Sequence, residues 1–194
     1  LIPEKILNEL SFLYNSKKFN DLKLRLETLL SVYPNSSLLW NIEGAVKKSL
    51  RLFDEAEFAF KKVVEINPKN HEGFNNLGII LKEKNNFNEA ILNFKKAINL
   101  NKKFTEAFNN LGITFHEIGD FHNAIENFKK AITSNVQYHL SHFNLGNTLL
   151  ELNQLKDAEA SYKNSININP EFFQANYNLG NVYEKIGEIE LAIH

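Results

Sequence analysis

The sequence predicts an all-α chain, an α-α superhelix in which antiparallel helix pairs stack into a right-handed solenoid. Three observations predict it. The 194 residues repeat with a period of 34: "FNNLG" at 74–78 returns at 108–112, then as "FNLG" at 143–146 and "YNLG" at 177–180. Within each period the apolar residues fall twice into the spacing of an amphipathic helix. A glycine, a small residue and an aromatic also hold fixed places in nearly every unit. The units are 3–36, 37–70, 71–104, 105–138, 139–172 and a partial 173–194, so the expected organisation is a single solenoid over 1–194.

Each unit begins with a helix A whose apolar residues occupy positions 4, 7, 8 and 11. A short polar segment, "EKNN" at 83–86 or "EIGD" at 117–120, then marks a turn. Helix B follows, with apolar residues at positions 17, 20, 24, 27 and 28. Position 8 is Gly44, Gly78, Gly112, Gly146 and Gly180, with Leu10 the exception. A glycine inside a helix costs about 1 kcal/mol relative to alanine. Its recurrence therefore needs a reason, and close approach supplies one. Without a side chain at position 8, helix B can lay its residues at position 20 (Leu22, Ala56, Ala90, Ala124, Ala158, Ala192) and position 24 (Leu26, Phe60, Phe94, Phe128, Tyr162) against helix A. Burying one phenylalanine returns about 1.5–3 kcal/mol, more than the glycine costs. Pro34, Pro68 and Pro170 at position 32 end helix B, because a prolyl ring cannot continue it.

Composition narrows the function. Lys plus Arg (22) nearly balances Asp plus Glu (23), which removes the global field that draws a protein to nucleic acid or an anionic membrane. There is no cysteine, hence no disulfide, thiolate metal site or thiol nucleophile. No stretch approaches the length of a membrane span, and "LIPEKILNEL" lacks the basic and apolar regions of a signal peptide. A cytoplasmic protein with neither nucleic-acid binding nor membrane insertion is expected. The glycines are spread one per hairpin rather than clustered before a helix, which excludes a phosphate-binding loop. No carboxylate pair lies in a context that would shift its pKa. The chain therefore reads as no enzyme, with no catalytic residue and no cofactor. His139 and His142, three apart on a helix A, could offer two imidazoles to a metal, with His116 on the preceding A helix. His142 at core position 4 and His139 at a helix start argue for structural roles instead, and no metal site is expected. Lys61-Lys62, Lys95-Lys96 and Lys129-Lys130 repeat on helix B as a solvated outer stripe without interleaved aromatics.

The segments "WNIEG" (40–44), "FNNLGIIL" (74–81), "EAILNFKKAINLN" (89–101) and "YNLGNVY" (177–183) resemble the tetratricopeptide repeat (TPR), whose signature combines W-x2-L-G-x2-Y, A-x3-F and P at this period. The resemblance covers essentially the whole chain. It implies a non-enzymatic protein-protein interaction scaffold that binds peptides on the inner face.

Positions 2, 6, 9 and 13 of helix A point away from its core positions. Position 6 is Asn8, Ile42, Asn76, Asn110, Asn144 and Asn178. An amide can donate and accept at once, so a ladder of them could pair with the backbone of an extended peptide. The helical repeats of O-linked N-acetylglucosamine transferase are similar in carrying such an Asn ladder. Asn is also abundant here (29 residues), and the ladder could instead join neighbouring A helices. Position 9 diverges from Ile79 and Ile113 to Asn147 and Asn181, while position 5, "FN" in the quoted motif, looks off to one side. Glu83, Glu117 and Glu151 at position 13, with Glu72 and Glu106, make the strip acidic and suited to a neutral or basic segment. The family's lysine and arginine clamp for a C-terminal carboxylate has no counterpart, since position 5 is Leu7, Asn41, Asn75, Asn109, Phe143 and Tyr177. The expected peptide-binding residues are Asn76, Asn110, Asn144, Asn178, Asn147, Asn181, Glu83, Glu117 and Glu151. The last unit stops at "GEIELAIH" (187–194), before its helix B would close. Two alternatives follow from that: a fragment whose repeats recruit substrate for a larger bacterial transferase of the glycosyltransferase kind, or self-association through an uncapped C-terminal end.

Overall fold

The computed structural model describes residues 2–187, and in them the chain forms eleven helices. The A helices are α1 (Glu4–Asn15), α3 (Ser37–Ser49), α5 (His71–Glu83), α7 (Thr105–Glu117), α9 (His139–Glu151) and α11 (Phe173–Lys185). The B helices are α2 (Phe19–Val32), α4 (Phe53–Ile66), α6 (Phe87–Leu100), α8 (Phe121–Ser134) and α10 (Leu155–Ile168). Helix boundaries thus recur at the same unit positions as the sequence repeat. Contacts group the chain into two compact units, Leu1–Leu100 with α1–α6 and Asn101–His194 with α7–α11. The segment 188–194, with Ala192 and His194, lies outside the described residues.

Local signals set the ends of the helices. Ser36, Asn70 and Asp120 cap α3, α5 and α8, their side chains accepting from the backbone N–H groups of Leu39, Gly73 and Asn123. Every hairpin turn contains a residue with positive φ at unit position 15: Lys17, Arg51, Asn85, Gly119, Asn153 and Gly187. That residue lets the chain close a tight C-terminal cap, as where Asp120 N–H donates to Phe115 O at 2.9 Å. Gly119, Gly187, Asn85 and Asn153 suit this conformation, whereas Lys17 and Arg51 obscure the pattern in the sequence.

The close approach inside each hairpin has the expected form. A Cβ placed on Gly44, Gly78, Gly112 or Gly146 would come within 2.6–2.7 Å of the ring of Phe60, Phe94, Phe128 or Tyr162 respectively. Those rings are buried to 1% exposure or less, as are Ala56, Ala90, Ala124 and Ala158 at position 20. Gly112→Ala therefore drives a methyl into the Phe128 ring. Overpacking of about 1–3 kcal/mol, less a helix-propensity gain of about 1 kcal/mol, leaves a net loss of up to about 2 kcal/mol in urea unfolding followed by helical circular dichroism.

The second repeat departs from the expected apolar core. Where later repeats carry Leu77, Leu111 and Leu145 at position 7 and Leu81, Phe115 and Leu149 at position 11, α3 carries Glu43 and Lys47. Both are buried, and they form an i, i+4 ion pair at 3.5 Å. Lys47 also donates a short hydrogen bond to Glu55 of α4. Burial pushes the Glu43 carboxyl above its ordinary pKa against the pull of Lys47. Burial works to lower the Lys47 ammonium, but the hydrogen bond to Glu55 and the two carboxylates win and hold it above the usual lysine value. Lys47→Leu alone strands a buried carboxylate and should cost about 3–5 kcal/mol. The double change Glu43→Leu with Lys47→Leu restores the pattern of the later repeats and should be neutral or stabilising by about 1–4 kcal/mol in the same measurement.

Candidate functional site

The A-helix face can be built within each unit. In the N-terminal unit, Asn76 of α5 donates through Nδ2 to Asn41 Oδ1 of α3 at 3.1 Å. In the C-terminal unit, Asn144 of α9 donates to Asn109 Oδ1 of α7 at 3.0 Å. Both bonds run from position 6 of one repeat to position 5 of the one before. Position 5 does not look off to one side: Asn75 and Asn109 are buried, at 6% and 3% exposure. Asn109 Oδ1 accepts a second bond from the buried Ser141 hydroxyl, also at 3.0 Å. The two donors fill both lone pairs of one oxygen, making Asn109 the joint between α7 and α9.

The fifth repeat breaks this scheme and repairs it. Position 5 there is Phe143, which packs edge-on against Phe172 with ring centroids 5.0 Å apart. Asn178 of α11 turns instead to Asn147 Oδ1 at position 9, at 2.9 Å. The same oxygen accepts the Tyr162 hydroxyl at 2.8 Å. Tyr162 stands where earlier repeats have phenylalanine, and its buried hydroxyl needs an acceptor. The divergence of position 9 from Ile to Asn thus matches the divergence of position 24 from Phe to Tyr, a coupling visible in the sequence only when both columns are read together. Burial pushes the Tyr162 hydroxyl up to about 12, against the Asn178 amide, so it remains a donor at neutral pH.

The predicted face residues remain accessible. Asn76, Asn110, Asn144, Asn147, Asn178 and Asn181 are half-buried, and Glu83, Glu117 and Glu151 are exposed. Within the described residues the Oδ1 atoms of Asn76, Asn144 and Asn178 accept no hydrogen bond. Glu83 lies 3.3 Å from Lys82, and Glu151 lies 3.5 Å from His116 Nε2. His116 Nδ1 meets Thr148 Oγ1 at 3.1 Å, and that hydroxyl already donates to Asn144 O at 2.9 Å. The hydroxyl can therefore only accept from the ring, which fixes the proton on Nδ1. At the other end of the N-terminal unit, the A helices α1 and α3 enclose an open recess of about 370 Å³ lined by Leu7, Leu10, Tyr14, Leu38, Ile42 and Ala45 among others.

The remaining candidates resolve into structural roles. His142 is buried with Nε2 3.2 Å from Val136 O, and burial lowers its pKa. His139 is half-buried, its ring edge-on to Phe172 at 5.0 Å. No group of three or more potential ligands occurs among the described residues. Lys61, Lys62 and Lys130 pair with Glu57, Glu65 and Glu126 on their own helices. No described helix is long and apolar enough to cross a membrane.

Asn109 supplies the sharpest test of the junction. Asn109→Ala leaves the buried Ser141 hydroxyl and the Asn144 amide without their acceptor and should cost about 1–3 kcal/mol. Ser141→Ala removes one donor only and should cost about 1 kcal/mol, both read by chemical unfolding.

Family models of the TPR repeat match residues 78–119 and 146–187, and further models of the tetratricopeptide repeat match 59–91, 39–70 and 105–135. No curated protein sequence matches the chain. Among solved structures, MamA is 30% identical, with a TM-score of 0.69 over 77% of this chain and 88% of MamA. The type IV pilus biogenesis factor PilW, 20% identical, shares the fold with a TM-score of 0.87 over 96% of this chain and 86% of its own. YrrB, described as a TPR protein with an unusual peptide-binding site, is 20% identical, with a TM-score of 0.67 over 87% of each chain. The helix pairs, their glycine-aromatic contact and these matches agree: the chain belongs to the tetratricopeptide-repeat family.

Proposed function

We propose that the chain is a protein-interaction scaffold, not an enzyme, that holds an extended segment of a partner along the face lined by its A helices. The observation that carries this reading is the state of the position-6 amides. Asn76 and Asn144 each commit one N–H to the neighbouring repeat and keep a second N–H and an unused carbonyl oxygen at half-buried positions, and Asn178 keeps an unused carbonyl oxygen. An amide held by one bond is oriented for the next, which lowers the entropy lost on binding. A donor and an acceptor in the same side chain match the alternating groups of an extended backbone. Glu117 and Glu151 favour a neutral or basic segment, and the recess between α1 and α3 suits an apolar side chain. YrrB, a TPR protein with an unusual peptide-binding site, supports the class of ligand.

The test is an array of random peptides, each about twelve residues long, enough to span several repeats when extended. The chain should select neutral or basic peptides. Asn144→Ala should weaken the best of them by roughly tenfold, about 1.4 kcal/mol. Ser141→Ala, which loosens the same junction from a buried position, should leave binding within about twofold, under 0.5 kcal/mol. Equal effects from the two variants, or no selected peptide, would overturn the proposal.

A further inference from the structure

The buried charges of the second repeat point to a second site, built from unit positions that take no part in the Asn ladder. Trp40 and Glu43 of α3 and Asp54, Glu55 and Phe58 of α4 line a cleft of about 370 Å³, with Lys47 at its side. Trp40 and Phe58 meet edge to face, their ring centroids 5.7 Å apart. The Trp40 indole N–H is bonded to Pro34 O at 2.8 Å, which fixes the ring. Phe58 is 56% exposed, a large apolar ring left mostly in solvent.

The charges of this cleft do not balance. Lys84 is engaged by Asp54 and Glu57, at 2.6 Å each. Lys23 and Glu27 of α2 act on Glu43 with opposite signs and pair with each other at 4.0 Å. Glu43 and Glu55 share one cation at ion-pair distance, Lys47, with the Lys23 ammonium acting on both without pairing to either. Glu43 is only 8% exposed, and its Oε2 has no hydrogen-bond partner. A buried carboxylate oxygen without a donor is costly, and a second cation is what would satisfy it.

We propose that this cleft receives the guanidinium group of an arginine side chain from a partner polypeptide. Among biological cations, guanidinium fits best on three counts. It is planar and stacks on aromatic faces, it is weakly hydrated and so less costly to bring into a half-buried cleft, and it presents several N–H donors to carboxylates at once. Phe58 already has one cation near its ring, the Lys62 ammonium 6.0 Å from the centroid, and that ammonium is held by Glu65 at 2.8 Å. The site thus offers an aromatic wall, the exposed carboxylates of Asp54 and Glu55 and, buried beside them, a carboxylate oxygen that has no donor.

Trp40 is the chain's one tryptophan, so its fluorescence reports on this cleft alone. The probes are N-acetyl-arginine methylamide, the corresponding lysine compound and the neutral isostere N-acetyl-citrulline methylamide, titrated into the full chain at matched ionic strength. Arginine should give a saturable change with a midpoint on the order of 1–10 mM, lysine a weaker one and citrulline none. The paired substitution Glu43→Leu with Lys47→Leu, which removes the carboxylate oxygen that lacks a donor at unchanged net charge, should weaken the arginine response by about threefold or more while circular dichroism stays native. Phe58→Ala, at an exposed position that leaves the buried charges intact, should weaken the response at least threefold, by about that factor in midpoint. An equal response to citrulline, an unchanged response in the paired variant and in Phe58→Ala, or no saturation would each overturn the site. Because the probe is one blocked amino acid and the readout is Trp40, failure here leaves the peptide-array result on the Asn ladder untouched.

Discussion

The contact on which the rest depends is the placement of an aromatic ring against a helix that has no side chain at that point. In four hairpins a glycine at position 8 lets the ring at position 24 lie where a Cβ would stand. Interaxial distance falls as the side chains at a crossing shrink, so this pair draws helices A and B together and buries the small residue at position 20 beside them. Once the hairpin is fixed in this way, the remaining faces of helix A have determined uses. Positions 4, 7 and 11 complete the core, position 5 meets the next repeat, and positions 6, 9 and 13 stay accessible.

Joining one repeat to the next adds polar chemistry to apolar packing such as that of Leu29 with Leu39 in one core cluster and Val63 against Gly73. Hairpin closure is apolar and nearly invariant along the chain, whereas the hydrogen bonds between A helices change their partners. Asn109 serves two donors, and Asn147 serves a different two, one of them the hydroxyl of Tyr162. At both of these joints two donors are satisfied while their identities shift. Buried polar groups demand this, because each one left without a partner costs more than the bond itself contributes.

Much of this was legible in the sequence because it is carried by side-chain size. Glycine, alanine and phenylalanine recurring at fixed places betray the hairpin, its boundaries and the family. What escaped is carried by pairing. The burial of Asn109 depends on Ser141 and Asn144 being opposite it, and nothing in one repeat alone indicates that. Likewise Glu43 and Lys47 occupy positions that the repeat reserves for apolar residues, and only their i, i+4 spacing with Glu55 across the turn hints that they neutralise one another. The left-handed residue at position 15 was hidden for a simpler reason: Lys17 and Arg51 take a conformation for which neither side chain is suited.

The A-helix face and the stack beneath it share atoms, and under the proposed function this would link recognition to stability. The amides of Asn76, Asn144 and Asn178 each bond the preceding A helix within their unit with one N–H and present what remains to the surface. A ligand that engages such an amide also restrains the junction it belongs to, and by linkage a firmer junction binds that ligand more tightly. The two explanations for a recurring asparagine, gripping a ligand and holding the stack, are therefore not exclusive. Each amide can serve the second role at rest and the first when occupied, provided that one N–H and the carbonyl oxygen stay uncommitted. Substituting the asparagine removes both at once, whereas substituting Ser141 disturbs only the shared acceptor below.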